Sequence, residues 1–235
     1  MQGLSQPFKI KTFEVGPMQN LIYLIWDIDT KLTALIDPAW DLTGVKKFIK
    51  TNGLVLDKIL LTHSHHDHVN SIDKILEKHD VQIHINKKEK SFWGKVYDNF
   101  YINDGDDLIM LGKTEIRSMH TPGHTPGSTC YLIGSNLIAG DTLFVFGCGR
   151  CDLHGGSPEE MYTTLKNLQS YLKSETLILP GHNYSTKKTS TLKEQIDGNP
   201  FFHFNDLKKF VDYRMNIHDK TRETPYQFHK RNHSH

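Results

Sequence analysis

The sequence is poor in the features that most readily class a protein. It has three cysteines in 235 residues, a small odd number that argues against a disulfide framework and fits a reducing compartment. It has no surplus of either charge: 28 basic side chains face 27 acidic ones, a formal +1. That balance gives no reason to expect nucleic acid or a membrane as partner. No apolar run approaches the roughly 20 residues that span a bilayer. The N-terminal MQGLSQPFKIKTFEVG lacks the charged-then-apolar order of a secretory signal. No low-complexity segment or residue-level repeat interrupts the chain. These absences predict a soluble, cytoplasmic protein of one sizeable domain, able to bury its core without covalent staples.

What is present is pattern. Residues 7–15 and 20–27 read as paired strands, and 32–38 as a third, closed by Pro38. Leu42, Val45, Phe48 and Ile49 recur at helical spacing before Gly53. Strands follow at 58–62 and 81–85, with a short helix around Ile72, Ile75 and Leu76 between them. Residues 86–107 show no clear period. Strands recur at 108–111, 114–118, 129–133 and 136–139, then a Gly-rich loop, GCGRCDLHGG (147–156). Ser157-Pro158-Glu159-Glu160 is a helix start, with an N-cap, proline at the first position and acids in the first turn. A strand at 176–182 follows, and helices beyond about 189 place Leu207, Phe210, Val211 and Arg214 on one stripe. The order suggests two similar β/α halves, with sheets packed together and helices outside. The final HKRNHSH reads as a disordered tail.

Histidine is abundant, with 15 residues, and its placement matters more than its count. His63, His65, Asp67 and His68 fall within LLTHSHHDHVN, directly after an apolar strand. In extended backbone, residues two apart point the same way, so His63 and His65 can hold one ion. Asp67 and His68, on a turning chain, can face a second. His66 between them points away. Two further histidines, His124 in HTPGHTPGS and His182 in LPGHNYS, and Asp141 in LIAGDTLF, also follow apolar strands. Loops at strand ends are where a rigid scaffold presents reactive groups. Alone, His124 or His182 would more often be a hydrogen-bonded loop histidine, and Asp141 a turn former. The cluster at 63–68 changes that weighting, because a two-metal site needs such partners. Imidazole and carboxylate suit zinc, iron and manganese. Seven donors are enough for two ions, three each with one shared carboxylate, leaving the open positions of a catalytic site.

THSHHDH, PGHTPGS, GDTLF and PGHNY, in that order over about residues 8–200, resemble the signatures of the metallo-β-lactamase superfamily. They are most similar to its glyoxalase II (hydroxyacylglutathione hydrolase) branch. The resemblance implies an α/β fold, a four-layer αββα sandwich with the metals at one edge of two sheets. It implies a catalytic domain over 1–200 and a helical extension over 201–235. It also implies that His63, His65 and His124 hold one metal, that Asp67, His68 and His182 hold the second, and that Asp141 bridges them. The ions would be two divalent cations, zinc first, with iron or manganese as alternatives.

The expected activity is hydrolysis of a thioester by a hydroxide held between the metals. Asp141 and Asp67 are the catalytic carboxylates, Asp67 orienting the nucleophile through its second oxygen. A thiol of pKa about 8.5 leaves without a strong general acid. Arg150 matches the basic residue with which glyoxalase II relatives hold the thiol part of the substrate, and Tyr184 matches a substrate-contacting tyrosine. A second tyrosine of that family is absent, since Cys151 and Asp152 follow Arg150. The C-terminal portion is shorter than the family's helical substrate domain, so glutathione is in question as carrier. GCGRCDLHGG also resembles the matching loop of persulfide dioxygenases, which use a single iron, and of hydrolases attached to bacterial polyketide pathways. The expected partner is therefore a small-molecule or carrier-bound thioester (acyl-glutathione, acyl-CoA or acyl-carrier protein), with a one-iron dioxygenase as the alternative. Cys148-Gly-Arg-Cys151 lacks a thioredoxin-like setting and reads as a loop beside the site.

Overall fold

A computed structural model describes residues 7–230. Strands β1 (Phe8–Val15), β2 (Asn20–Asp27) and β3 (Leu32–Ile36) form an antiparallel meander. Helix α1 (Thr43–Thr51) leads to β4 (Val55–Leu60). Short helices α2 (His66–Val69) and α3 (Ile72–Leu76) lead to β5 (Gln82–Asn86), and α4 (Lys87–Trp93) to β6 (Phe100–Asn103). Strands β3 to β6 lie parallel, so the first sheet has the order β1-β2-β3-β4-β5-β6.

The second half opens with β7 (Leu108–Leu111), β8 (Thr114–His120), β9 (Thr129–Ile133) and β10 (Asn136–Gly140). The small pair β11 (Leu143–Phe144) and β12 (Gly147–Cys148) follows, then helix α5 (Pro158–Tyr171), β13 (Leu177–Pro180) and β14 (Ser190–Thr191). The second sheet has the order β14-β13-β10-β9-β8-β7. Ser157 caps α5, its hydroxyl accepting the Glu160 N–H at 3.1 Å, with Pro158 at the first position. Helices α6 (Leu192–Gly198) and α7 (Leu207–Asp212) and a π-helical turn (Tyr213–Ile217) complete the chain's regular structure up to a last short helix.

Three apolar layers hold four structural ones. Between the sheets, Leu21, Tyr23, Ile25 and Leu60 of the first meet Ile116, Tyr131, Ile138 and Leu179 of the second. Outside the first sheet, Leu24, Leu35, Ile59 and Ile83 pack against Val45, Ile72 and Ile75 of the helices. Outside the second, Cys130, Leu137 and Ile178 pack against Met161, Leu165 and Leu168 of α5 and against Phe201, Phe202 and Phe210. This is the αββα sandwich. Two buried tyrosines tie the sheets at the end that carries the site: the Tyr23 hydroxyl donates to Pro180 O at 2.7 Å, and that of Tyr131 to Leu61 O at 2.8 Å. A buried hydroxyl finds a partner or costs stability, so these bonds also fix where β4 and β13 end.

The differences from the sequence expectation are local. β4 ends at Leu60, because the next residues turn to serve the site: Thr62 N–H binds Asp37 Oδ1 at 2.8 Å. The unassigned span 86–107 holds α4 and β6. Phe210 and Arg214 of the C-terminal stripe are buried, but Leu207 is 41% exposed. The chain remains fastened as far as His229, whose N–H donates to Gly198 O. Residues 231–235 of the expected tail lie outside the described residues. Among the described residues no helix is long and apolar enough to cross a membrane.

Candidate metal centre

Four strands end at the same edge, and each delivers donors. β4 leads through Leu61 and Thr62 to His63. His65, extended, caps the single turn of α2, which swings Asp67 and His68 inward and leaves His66 exposed. β8 leads to His124, β10 to Asp141 and β13 to His182. Two glycines make the approach possible. Gly140 has φ +49°, and a Cβ there would strike the Thr62 hydroxyl; a Cβ at Gly181 would strike the Asp141 carboxylate.

The seven expected donors converge. His124 Nε2 lies 2.9 Å from His65 Nδ1, and His68 Nε2 lies 3.1 Å from His182 Nε2. Asp67 Oδ2 is 3.4 Å from both His68 Nε2 and His182 Nε2. Asp141 sits between the groups: Oδ2 is 3.6 Å from His124 Nε2 and 3.4 Å from His182 Nε2, while Oδ1 is 3.5 Å from His68 Nε2. The donor atoms of His63, His65 and His124 lie within 4.8 Å of one another, as do those of Asp67, His68 and His182. A third grouping, Asp37 with His63 and His68, meets the same limit, but Asp37 is already engaged as an acceptor.

The outer hydrogen bonds decide which nitrogen faces inward. A carbonyl only accepts, so His124 Nδ1–H donates to Arg150 O and His182 Nδ1–H to Met18 O, each at 2.8 Å. His68 Nδ1–H donates to Asp37 Oδ2 at 3.1 Å. The Thr62 hydroxyl donates to Asp37 Oδ2 at 2.5 Å and receives His63 Nδ1–H at 3.0 Å. The Nε2 lone pairs of His63, His68, His124 and His182 are thereby aimed at a common space. His63 Nε2 and Asp141 Oδ1 are buried with no hydrogen-bond partner. Facing lone pairs, an orphaned imidazole nitrogen and an orphaned carboxylate oxygen fit cations bound among them.

Burial pushes the His63 and His65 imidazoles below their ordinary range and takes His124 down to about 4, so their lone pairs are free at neutral pH. At His68 burial acts the same way, but Asp141, Asp37 and Asp67 outweigh it and raise the group to about 9. His182 is raised too, Asp141 outweighing burial. Asp141 is held well below the carboxylate range despite burial, chiefly by His182 and His68. The cluster with two carboxylates draws positive charge to itself.

The profile of the metallo-beta-lactamase superfamily matches residues 15–182. This chain belongs to that superfamily. Among its relatives is the "Probable polyketide biosynthesis zinc-dependent hydrolase PksB" of Bacillus subtilis (strain 168), 30% identical over 216 residues, 89% of this chain and 96% of that one. A hydroxyacylglutathione hydrolase of Psychromonas ingrahamii is 34% identical over 178 residues, 75% of this chain and 64% of that one. The crystal structure of ETHE1 from Myxococcus xanthus matches with a TM-score of 0.81 at 26% identity, covering 89% of this chain and 91% of that one.

Around this superfamily site, the structure places the two expected substrate residues differently. The Tyr184 ring stacks on His182, centroids 4.6 Å apart and planes 9° from parallel, with Phe144 edge-on at 5.4 Å. The Arg150 backbone oxygen holds His124, but its exposed guanidinium is paired bidentately with Asp152 at 2.6 and 2.8 Å. Several residues escape a reading by motif. Asn20 Nδ2 donates to Asp67 Oδ2 at 2.9 Å and to Asp67 O at 3.0 Å, and Trp40 Nε1 donates to Asn20 Oδ1 at 2.8 Å. Asp37 orients His68 directly and His63 through Thr62. Its only signal is a strand ending in Asp-Pro; Asn20 has none.

Proposed function

We propose that the chain is a two-metal hydrolase of thioesters. The observation that carries the reading is the pair of three-donor clusters meeting at Asp141. His63, His65 and His124 would hold one ion, Asp67, His68 and His182 the other, with Asp141 shared; zinc is the first candidate, iron or manganese the alternatives. A pair of divalent ions supplies Lewis acidity and a water acidified to near neutrality. The chain's own residues do the rest. Asp67, whose Oδ2 accepts from Asn20, would orient an attacking water and take up its proton. Tyr184, stacked on His182, borders the place where an acyl group would lie. Arg150 would meet an anionic substrate part on release from Asp152. Among the described residues around the site no separate acid stands ready for a poor leaving group, which fits a thiolate. An open groove beside α2 is lined by Lys46 and Lys74 together with Asp41 and Trp40, a slight positive excess that would suit an anionic carrier such as an acyl-carrier protein or coenzyme A.

The test is metal analysis of protein purified without chelator, paired with a panel of acyl-glutathione, acyl-CoA and acyl-carrier-protein thioesters. Two ions per chain and hydrolysis of at least one class are expected. The competing reading is a one-iron persulfide dioxygenase, favoured by the likeness of fold to ETHE1 and by the Gly-Cys-Gly loop. One iron per chain, oxygen consumption with glutathione persulfide and an inert thioester panel would establish it instead.

A further inference from the structure

Helix α4 is Lys-rich and largely exposed, yet Glu89 within it is 1% exposed. Both carboxylate oxygens are fully engaged. Oε1 accepts the Ser64 N–H at 2.7 Å and the Ser64 hydroxyl at 2.6 Å; Oε2 accepts the Thr125 hydroxyl at 2.7 Å and the Gly127 N–H at 3.0 Å. Ser64 lies between His63 and His65. Thr125 follows His124. One buried carboxylate therefore bolts together the loop after β4, from the first sheet, and the loop after β8, from the second. Those two loops carry all three donors of the histidine-only cluster. The helix is seated tightly for this: a Cβ at Gly127 would strike the Glu89 backbone, and the Asn86 side chain accepts the Lys88 N–H at 2.8 Å to fix the first turn.

Burying a carboxylate is costly, and a well-packed apolar group would often stabilise a fold as well or better. What the carboxylate adds is four directional bonds that set a distance. We propose that Glu89 is the positioning residue of the three-histidine cluster, fixing the gap between the His63–His65 pair and His124 and so the affinity of that cluster for its ion. Glu89 touches neither ion nor substrate; it acts through Ser64, Thr125 and Gly127. The Asp67–His68–His182 cluster is held by other groups, Asn20, Asp37 and Met18 O, none of which Glu89 binds. The inference rests on the reading that both clusters bind metal.

The experiment uses the full chain stripped by chelator and titrated with zinc against a chromophoric chelator, in parallel for the unsubstituted protein, Glu89→Gln, His65→Ala and His182→Ala. In Glu89→Gln the amide nitrogen sets a donor against donors in one loop. One of two zinc affinities is expected to weaken about 10–100-fold, the range for losing an outer partner of a metal ligand. It should be the affinity lost in His65→Ala, with the one lost in His182→Ala unchanged. Thr125→Val and Ser64→Ala each remove one hydroxyl and are expected to give smaller losses at the same ion; they decide the matter if Glu89→Gln does not fold. Cobalt in place of zinc should show altered ligand-field bands for that ion. Affinities within about twofold of the unsubstituted chain, with only a lower melting temperature, would overturn the inference and leave the metal reading intact. An unsubstituted chain that takes up no transition ion would remove both.

Discussion

Two aspartates link the sheets from opposite ends of the sandwich, and they are treated in opposite ways. Asp27, at the far end of β2, is fully buried and accepts four bonds: Thr30 N–H and hydroxyl at 2.8 Å each, Lys113 N–H at 3.1 Å and the Thr114 hydroxyl at 2.9 Å. Burial opposes its ionisation, but these donors prevail and lower it to about 2. Asp141, at the site end, faces imidazole nitrogens at 3.4–3.6 Å and keeps an oxygen with no hydrogen-bond partner. A chain that can satisfy a buried carboxylate completely at one end leaves another incomplete where four strand ends meet. Complete satisfaction marks a fastener; incomplete satisfaction, among lone pairs, marks a place kept for something else.

The contrast can be broken from either side. The largest effect is expected from Asp141→Ala: metal content and turnover should fall together, by more than the about 100-fold typical of losing an outer partner. A metal-poor variant with full activity would end the metal reading of Asp141. Asp27→Asn should do the reverse. It should lower unfolding free energy by roughly 1–3 kcal/mol, the cost of a disrupted buried acceptor, while leaving bound metal and the rate at 25 °C unchanged. The difference also has a pH signature. Asp27 has a folded-state value below its unfolded one, so its contribution is complete above the ordinary aspartate value of about 3.9 and is lost as pH falls from there through about 2. The unsubstituted protein and Asp27→Asn, both treated with chelator, should therefore differ by a constant amount above pH 5 and converge in acid. A gap that widens in acid would contradict the assignment. The smallest effect is expected from Tyr184→Phe. It keeps the ring on His182 and removes only the hydroxyl, so kcat/KM should fall about threefold to tenfold, one hydrogen bond's worth, with metal content unchanged. A loss of metal instead would make the ring a support of His182 rather than a substrate contact.

The strand-end histidines were legible because apolar runs stop abruptly at residues whose chemistry has no place in a core. The groups that hold them were not. Glu89 stands in Lys-Lys-Glu-Lys, where a fourth charge on a surface helix carries no signal; its burial depends on Gly127, some forty residues on. The same stretch hid α4 and β6, since β6 is an edge strand with Tyr101 55% exposed and alternates poorly. Asn20 and Asp37 look like a strand's first polar residue and a turn former, and their partners are distant in sequence. Spacing alone puts Arg214 on an apolar stripe; its buried guanidinium meets His218 Nδ1 at 3.0 Å and Asp219 Oδ2 at 2.5 Å. Propensity and period act over a few residues, whereas the contacts of Glu89, Asn20 and Asp37 form only after distant segments meet.

Each of the two clusters that meet at Asp141 is drawn from both sheets: His63 and His65 with His124, Asp67 and His68 with His182. Neither half of the chain holds either of these two sets complete; the remaining triad, Asp37 with His63 and His68, lies in the first half, but its aspartate is already taken up as an acceptor. Ion capture with all donors engaged must follow docking of the two halves, so acquisition of the cation reports on the final assembly step. A chain cut in the turn between β6 and β7 would yield two pieces that each bind poorly, and mixing them with zinc would score their reassociation directly.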